Sequence, residues 1–181
     1  MDTLMEIALA AGASNVGMAK VAEIQFCRDF RAACEQNICG KFGTCWMCPP
    51  DVGDIDKMIS QAKEYKNVMV FQSIGQLEDS FDIEGMQAAA VAHNMLTLAV
   101  AEKVACMVKD GKMTKPLILG AGACHICKRC TRLDSLPCAH PNRAIPSLEA
   151  YGIAVSELAK VSGMEYVNGV NTVTYFGGVM F

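Results

Sequence analysis

Residues 116–141 read PLILGAGACHICKRCTRLDSLPCAHP. Pro116 to Leu119 has the apolar character of a short strand, and it runs straight into Gly120-Ala121-Gly122 and a C-x2-C-x2-C-x7-C pattern. Two residues between thiols let a tight loop wrap one face of a cubane, and Cys138 closes the site from further along. Cys124, Cys127, Cys130 and Cys138 are therefore the leading candidate ligands for a [4Fe-4S] cluster. Zinc sites more often use two Cys-x2-Cys knuckles separated by a longer span, so this spacing favours iron–sulfur over Zn, and either over a metal-free loop. Lys128, Arg129, Arg132 and Arg143 surround the run, with only Asp134 opposing them. Such cations suit an anionic cluster, although a solvated basic loop is the plainer alternative. His125 and His140 read as loop hydrogen-bonders ahead of ligands.

A second concentration, CEQNICGKFGTCWMCPP at residues 34–50, offers Cys34, Cys39, Cys45 and Cys48. Gly40 and Gly43 permit tight turns, and Pro49-Pro50 stiffens the exit. The C-x4-C-x5-C-x2-C spacing is less diagnostic. It favours a second metal site over redox-active thiols or purely structural cysteines. Trp46 reads as core packing ahead of a cluster shield. Cys27, just upstream, is a marginal substitute ligand, and Cys106 reads as a small core hydrophobe.

Around these runs the pattern alternates helix and strand. Residues 2–12 form an amphipathic helix with Asp2 as its expected cap and Leu4, Ile7, Ala8 and Ala11 on one face. Residues 15–21, 67–73, 116–119 and 172–181 are the expected strands. Residues 54–65, 84–109 and 155–162 are the expected helices, and 27–53 is an irregular cysteine-rich loop. This order predicts a single α/β layered domain over residues 1–181, with a roughly four-stranded sheet and cysteine-rich loops at about 27–53 and 120–146.

The chain has 181 residues, 52% of them hydrophobic and 19% charged, enough apolar material for a sizeable core. A net charge of −3 gives no case for nucleic-acid binding. The start lacks a secretory pattern. Residues 86–108 are the nearest thing to a membrane span, but they carry His93, Asn94, Glu102 and Lys103, so a buried helix of a non-membrane protein is expected. Ten cysteines, eight of them in the two runs, fit a reducing cytoplasm where clustered thiols hold metal or carry redox chemistry.

Several motifs together resemble one known family. They are Cys34-x4-Cys39, Phe42-Gly43, Met47-Cys48-Pro49-Pro50, and Tyr65 leading into NVMVF. They continue in Gly122-x-Cys124-x2-Cys127-x2-Cys130, Cys138-x-His140-Pro141, Pro146-Ser147-Leu148-Glu149-Ala150-x-Gly152-Ile153, and the tail TYFGGVMF. The chain resembles the bacterial and archaeal family called domain of unknown function 2284, whose members are described as predicted metal-binding proteins. The resemblance implies metal binding and brings no established reaction. Members often have Tyr in place of Phe42 and Arg in place of Ala139, and Cys45 stands outside the shared pattern. The common first site would then offer Cys34, Cys39 and Cys48, leaving one iron of a cubane open unless Cys45 closes it.

Three functions compete at this point. A protein with one or two clusters could relay electrons to a redox partner protein docking near Lys128, Arg129 and Arg132. An enzyme could use an open iron for sulfur or small-molecule chemistry. A structural or regulatory protein could hold zinc. No dinucleotide fingerprint, P-loop, nucleophile elbow or H-E-x-x-H motif is present. Whether the chain is an enzyme stays open, and electron transfer or general iron–sulfur binding ranks narrowly first.

Overall fold

Asn67 to Gln76 is the central strand, and its sequence explains why. NVMVF supplies consecutive β-branched and large apolar side chains, the pattern of a strand covered on both faces. In the computed structural model, which describes residues 2–181, Val68, Met69, Val70 and Phe71 are fully buried. With β1 (Asn15–Lys20), β2 (Asn67–Gln76), β3 (Leu117–Leu119) and β4 (Thr172–Met180), the sheet has four strands in the order β1-β2-β4-β3. All three pairings are antiparallel. The α/β layered fold and the four strands agree with the sequence reading.

Alternation along β2 divides the core in two. Val68 and Val70 face one side, where α3 (Ile55–Ala62), α5 (Val155–Val161) and the segment 148–154 pack. Met69 and Phe71 face the other, against α1 (Asp2–Ala10) and α4 (Ile83–Lys109). Close approach requires small residues on the sheet. A Cβ at Gly177 would stand 2.3 Å from the Phe71 ring, and one at Gly17 would stand 2.2 Å from the Ser162 carbonyl. The Asp54 carboxylate caps α3 by accepting from the Asp56 and Lys57 N–H groups. A short helix, α2 (Phe30–Glu35), occupies part of the stretch expected to be irregular. Leu4 and Ala8 of α1 are buried as expected, while the capping role expected for the Asp2 side chain lies outside the described residues.

The reading of residues 86–108 as a buried helix needs correction. By length and composition alone α4 could cross a membrane, but its inner face lies on β2, β4 and α1. His93, Leu96, Thr97, Val100 and Val104 are buried, whereas Val91, Met95 and Cys106 are exposed. Cys106 is thus not a core residue. It follows Val104 by two positions, which at 3.6 residues per turn puts it on the opposite face.

Both cysteine-rich loops are tied down by the same short segment, residues 146–154. The Gly120 N–H donates to the Pro146 carbonyl, and the Leu148 N–H donates to the Gly120 carbonyl, closing the base of the second loop. The Cys27 N–H donates to the Gly152 carbonyl and the Ala154 N–H to the Gln25 carbonyl, closing the base of the first. Arg31 adds donations to the Gly53 and Ala150 carbonyls. Gly152 holds its left-handed turn at φ 71°, where a Cβ would meet the Cys27 carbonyl at 3.0 Å.

Among the described residues, His93 is the one buried titratable group on the α4 side of the core. Its Nδ1 lies 2.8 Å from Ser73 Oγ, and its ring lies 5.8 Å from those of Phe71 and Tyr175. Its Nε2 faces the Phe176 carbonyl without an aligned hydrogen bond. Burial lowers its pKa from 6.5 to about 4. The unfolded chain therefore binds a proton that the folded one refuses between these values. Stability falls as pH drops through that window, by at most about 3 kcal/mol. Urea unfolding at pH 7.5 and pH 4.5 should show a smaller acid-induced loss for His93→Leu than for the wild type. Equal losses in the two proteins would contradict this assignment.

Candidate metal centre

The second loop builds a small cavity from its own cysteines. Gly122 turns the chain at φ 66° just before Cys124, and a single 3-10 turn, Thr131–Asp134, follows Cys130. Ser135 then reverses the chain in the left-handed region, and Thr131 Oγ1 donates to the Pro137 carbonyl, bringing Cys138 back. Cys124, Cys127, Cys130 and Cys138 line one cavity together with Ile126, Thr131, His140 and Ala144. The four thiols expected to act together are therefore brought together. His140 joins their wall, while His125 lies outside it on the neighbouring surface.

Cys45 also lines this cavity, carried there from the first loop with Trp46 and Met47. It is almost fully buried. The Cys124 and Cys48 thiols both donate toward Cys45 Sγ, and the Met47 and Cys124 N–H groups point at it as well. These donors hold the Cys45 pKa far below the ordinary thiol value. The same hydrogen bonds, with burial, push Cys48 and Cys124 up. The Ile126 and Ile145 N–H groups are directed at Cys124. Backbone donors around thiolates are the surroundings an anionic thiol-held group requires.

Cys34, Cys39 and Cys48 form the other group. Cys34 and Cys39 lie within electrostatic reach of Cys48 and of each other. Burial raises the Cys34 pKa, while the Arg31 guanidinium beside it acts in the opposite direction. The Gly43 N–H donates to the Pro49 carbonyl and the Cys48 N–H to the Cys45 carbonyl, and the Pro49–Pro50 peptide is cis. Cys39 is exposed, which leaves this group open to solvent on one side. Cys27, whose backbone N–H donates to the Gly152 carbonyl, does not line the second-loop cavity.

Side chains clamp the two loops together. Trp46 Nε1 donates to the Leu136 carbonyl at 3.1 Å. The Arg132 guanidinium lies 5.5 Å over the Trp46 ring. Arg132 Nε stands 2.7 Å from Asp51 Oδ2, an ion pair by distance although the N–H is not aimed well enough to count as a hydrogen bond. Trp46 is therefore a cavity wall and a clasp, not part of the core. The expectation that only Asp134 opposes the local cations is likewise overturned. Asp134 pairs with Arg129, but Asp51 pairs with Arg132, and Glu102 approaches Arg143 at 3.7 Å.

A family model for a predicted metal-binding protein, domain of unknown function 2284, matches residues 18–181. The chain belongs to this family. No curated protein and no solved structure matches the chain. Family membership supports metal binding as the coarse function, and the second loop lines a cavity with four of its thiols. All ten cysteines are free thiols, and they are the soft donors that thiophilic metals select. Among the described residues, no three His, Cys, Asp or Glu side chains converge as a preset site for a single ion. The second-loop thiols instead share the lining of one small cavity.

The clamp yields a stability test. Arg132 and Asp51 side chains are only 29% and 15% exposed, so removing either leaves a poorly hydrated charge. Arg132→Leu and Asp51→Leu should each lower the unfolding free energy by about 2 kcal/mol. The double variant should lose no more than the worse single one, as expected for directly coupled partners. Urea denaturation of anaerobically purified protein measures this, and additive losses would contradict the pairing.

Proposed function

We propose that this protein binds two [4Fe-4S] clusters and works in electron transfer or redox chemistry in the cytoplasm. The observation that carries the reading is the single cavity lined by Cys124, Cys127, Cys130 and Cys138. Its C-x2-C-x2-C-x7-C spacing suits a cubane better than a zinc knuckle. Such a cluster supplies one-electron transfer. The chain's own residues would hold it by four thiolates, exclude water with Trp46, Ile126 and Ala144, and direct backbone N–H groups at the sulfurs. Cys34, Cys39 and Cys48 would hold the second group.

Cys45 is the residue whose assignment the geometry changes. Although it sits within the first motif, it faces the cavity of the second. It is a fifth sulfur there, hydrogen-bonded to Cys124 on one side and Cys48 on the other. The first group is then left with three thiols. This favours, as a second reading, an enzyme that uses an open iron position at the first site for sulfur or small-molecule chemistry. A redox partner would meet the exposed side of the second loop at Lys128, which has no ion pair among the described residues. Arg129 and Arg132 are occupied by Asp134 and Asp51.

Anaerobic purification followed by iron and sulfide analysis tests the proposal. About eight irons per chain are expected, against about four for one cubane. Cys39→Ser and Cys127→Ser should each remove roughly half the iron, and Cys45→Ser should leave it nearly unchanged while altering the visible spectrum. In the second reading, added sulfide also shifts the EPR signal of the reduced first cluster. A colourless protein carrying only zinc after anaerobic handling would sink the iron–sulfur assignment.

A further inference from the structure

A second cavity shares Cys124, Ile126 and Cys127 with the thiol-lined one, and beyond Ile126 and Lys128 the proposed function gives its lining no role. Its floor is apolar, from Val91, Met95 and Leu98 of α4 with Ile126 and Ile145 of the second loop. Val91 and Met95 are 60% and 65% exposed, an unusual cost for large apolar side chains side by side on one helix face. Lys128, Arg143 and His125 stand among its lining residues, and no acidic side chain does. Lys128 is without an ion pair among the described residues, and Arg143 has only the long 3.7 Å approach of Glu102. Gly120 and Ala121 keep the deep end open, since a Cβ at Gly120 would already meet Thr97 Cγ2 at 3.3 Å.

An apolar floor with a cationic rim, its Lys128 unpaired among the described residues and its Arg143 only weakly opposed by Glu102, specifies its ligand. We infer that this cleft binds a small carboxylic acid with an apolar body, the body lying on Met95, Leu98 and Ile126 and the carboxylate on Lys128 and Arg143. Orientation follows from the charges, because the polar groups that fix a ligand in such a pocket are few. Cys124 and Cys127 line both cavities, so the bound acid would lie directly behind two thiols of the candidate metal centre. The site depends on the fold of α4 and the second loop, not on which metal the thiols hold.

Equilibrium dialysis with octanoate tests this on the anaerobically purified full chain, with octylamine as the same apolar body of opposite charge. Octanoate should saturate at one molecule per chain, and octylamine should not compete with it. Lys128→Glu and Met95→Glu, both at exposed positions, should each weaken octanoate binding roughly tenfold or more, the loss expected for a charge-assisted contact. Arg129→Glu, outside the cleft, should not. Non-saturating uptake, equal binding of octylamine, or affinities unmoved by Lys128→Glu and Met95→Glu would each overturn the inference. Because iron content is measured on the same samples, a failure here is distinguishable from a failure of the cluster assignment.

Discussion

The contact on which the rest of the candidate metal centre depends is the sulfur trio Cys48–Cys45–Cys124 at the junction of the two loops. Buried thiols need polar neighbours, and Cys124 of the second loop supplies one to Cys45 of the first. The trio cannot form unless the loops are pressed together. The Trp46 indole on the Leu136 carbonyl and the Arg132–Asp51 pair provide that pressure at the rim. Two runs of sequence that look like separate sites therefore fold as one structure with a shared sulfur at its centre.

The sheet and its helices exist, in functional terms, to fix the roots of these loops. β3 delivers Gly120 to the mouth of the second loop, and α3 begins at the end of the first. Residues 146–154 then bind both roots by backbone hydrogen bonds. This explains why a segment without a cysteine or histidine, Pro146 to Ile153, belongs among the motifs by which the chain resembles its family. Its role is to hold two loops at one end of the sheet, which local propensity in the loops themselves could not do.

The elements were legible wherever a local pattern decides structure. NVMVF announced a buried strand, and the apolar period over residues 54–65 announced α3. The cysteine spacing in the second loop identified a set of thiols that do line one cavity. What escaped reading is long-range. Cys45 with Cys124, Trp46 with Leu136, and Asp51 with Arg132 meet across some eighty to ninety residues, and no local spacing encodes such a meeting. Cys106 is a different case, because counting around α4 from the buried Val100 and Val104 already puts it outside. α2 was hidden by the cysteine and glycine density around it, which outweighed the helix-forming Arg31, Ala32 and Ala33 in the reading.

If Cys45 lines the second cavity while lying beside Cys48 of the first group, two reduced clusters held by the two groups must sense each other. The most direct test is the EPR spectrum of the fully reduced, anaerobically purified protein. The account predicts two centres whose signals are broadened and split by mutual spin coupling, and Cys39→Ser should reduce them to the simple signal of one. Two sharp, additive and independent signals, or one centre unaffected by Cys39→Ser, would contradict it.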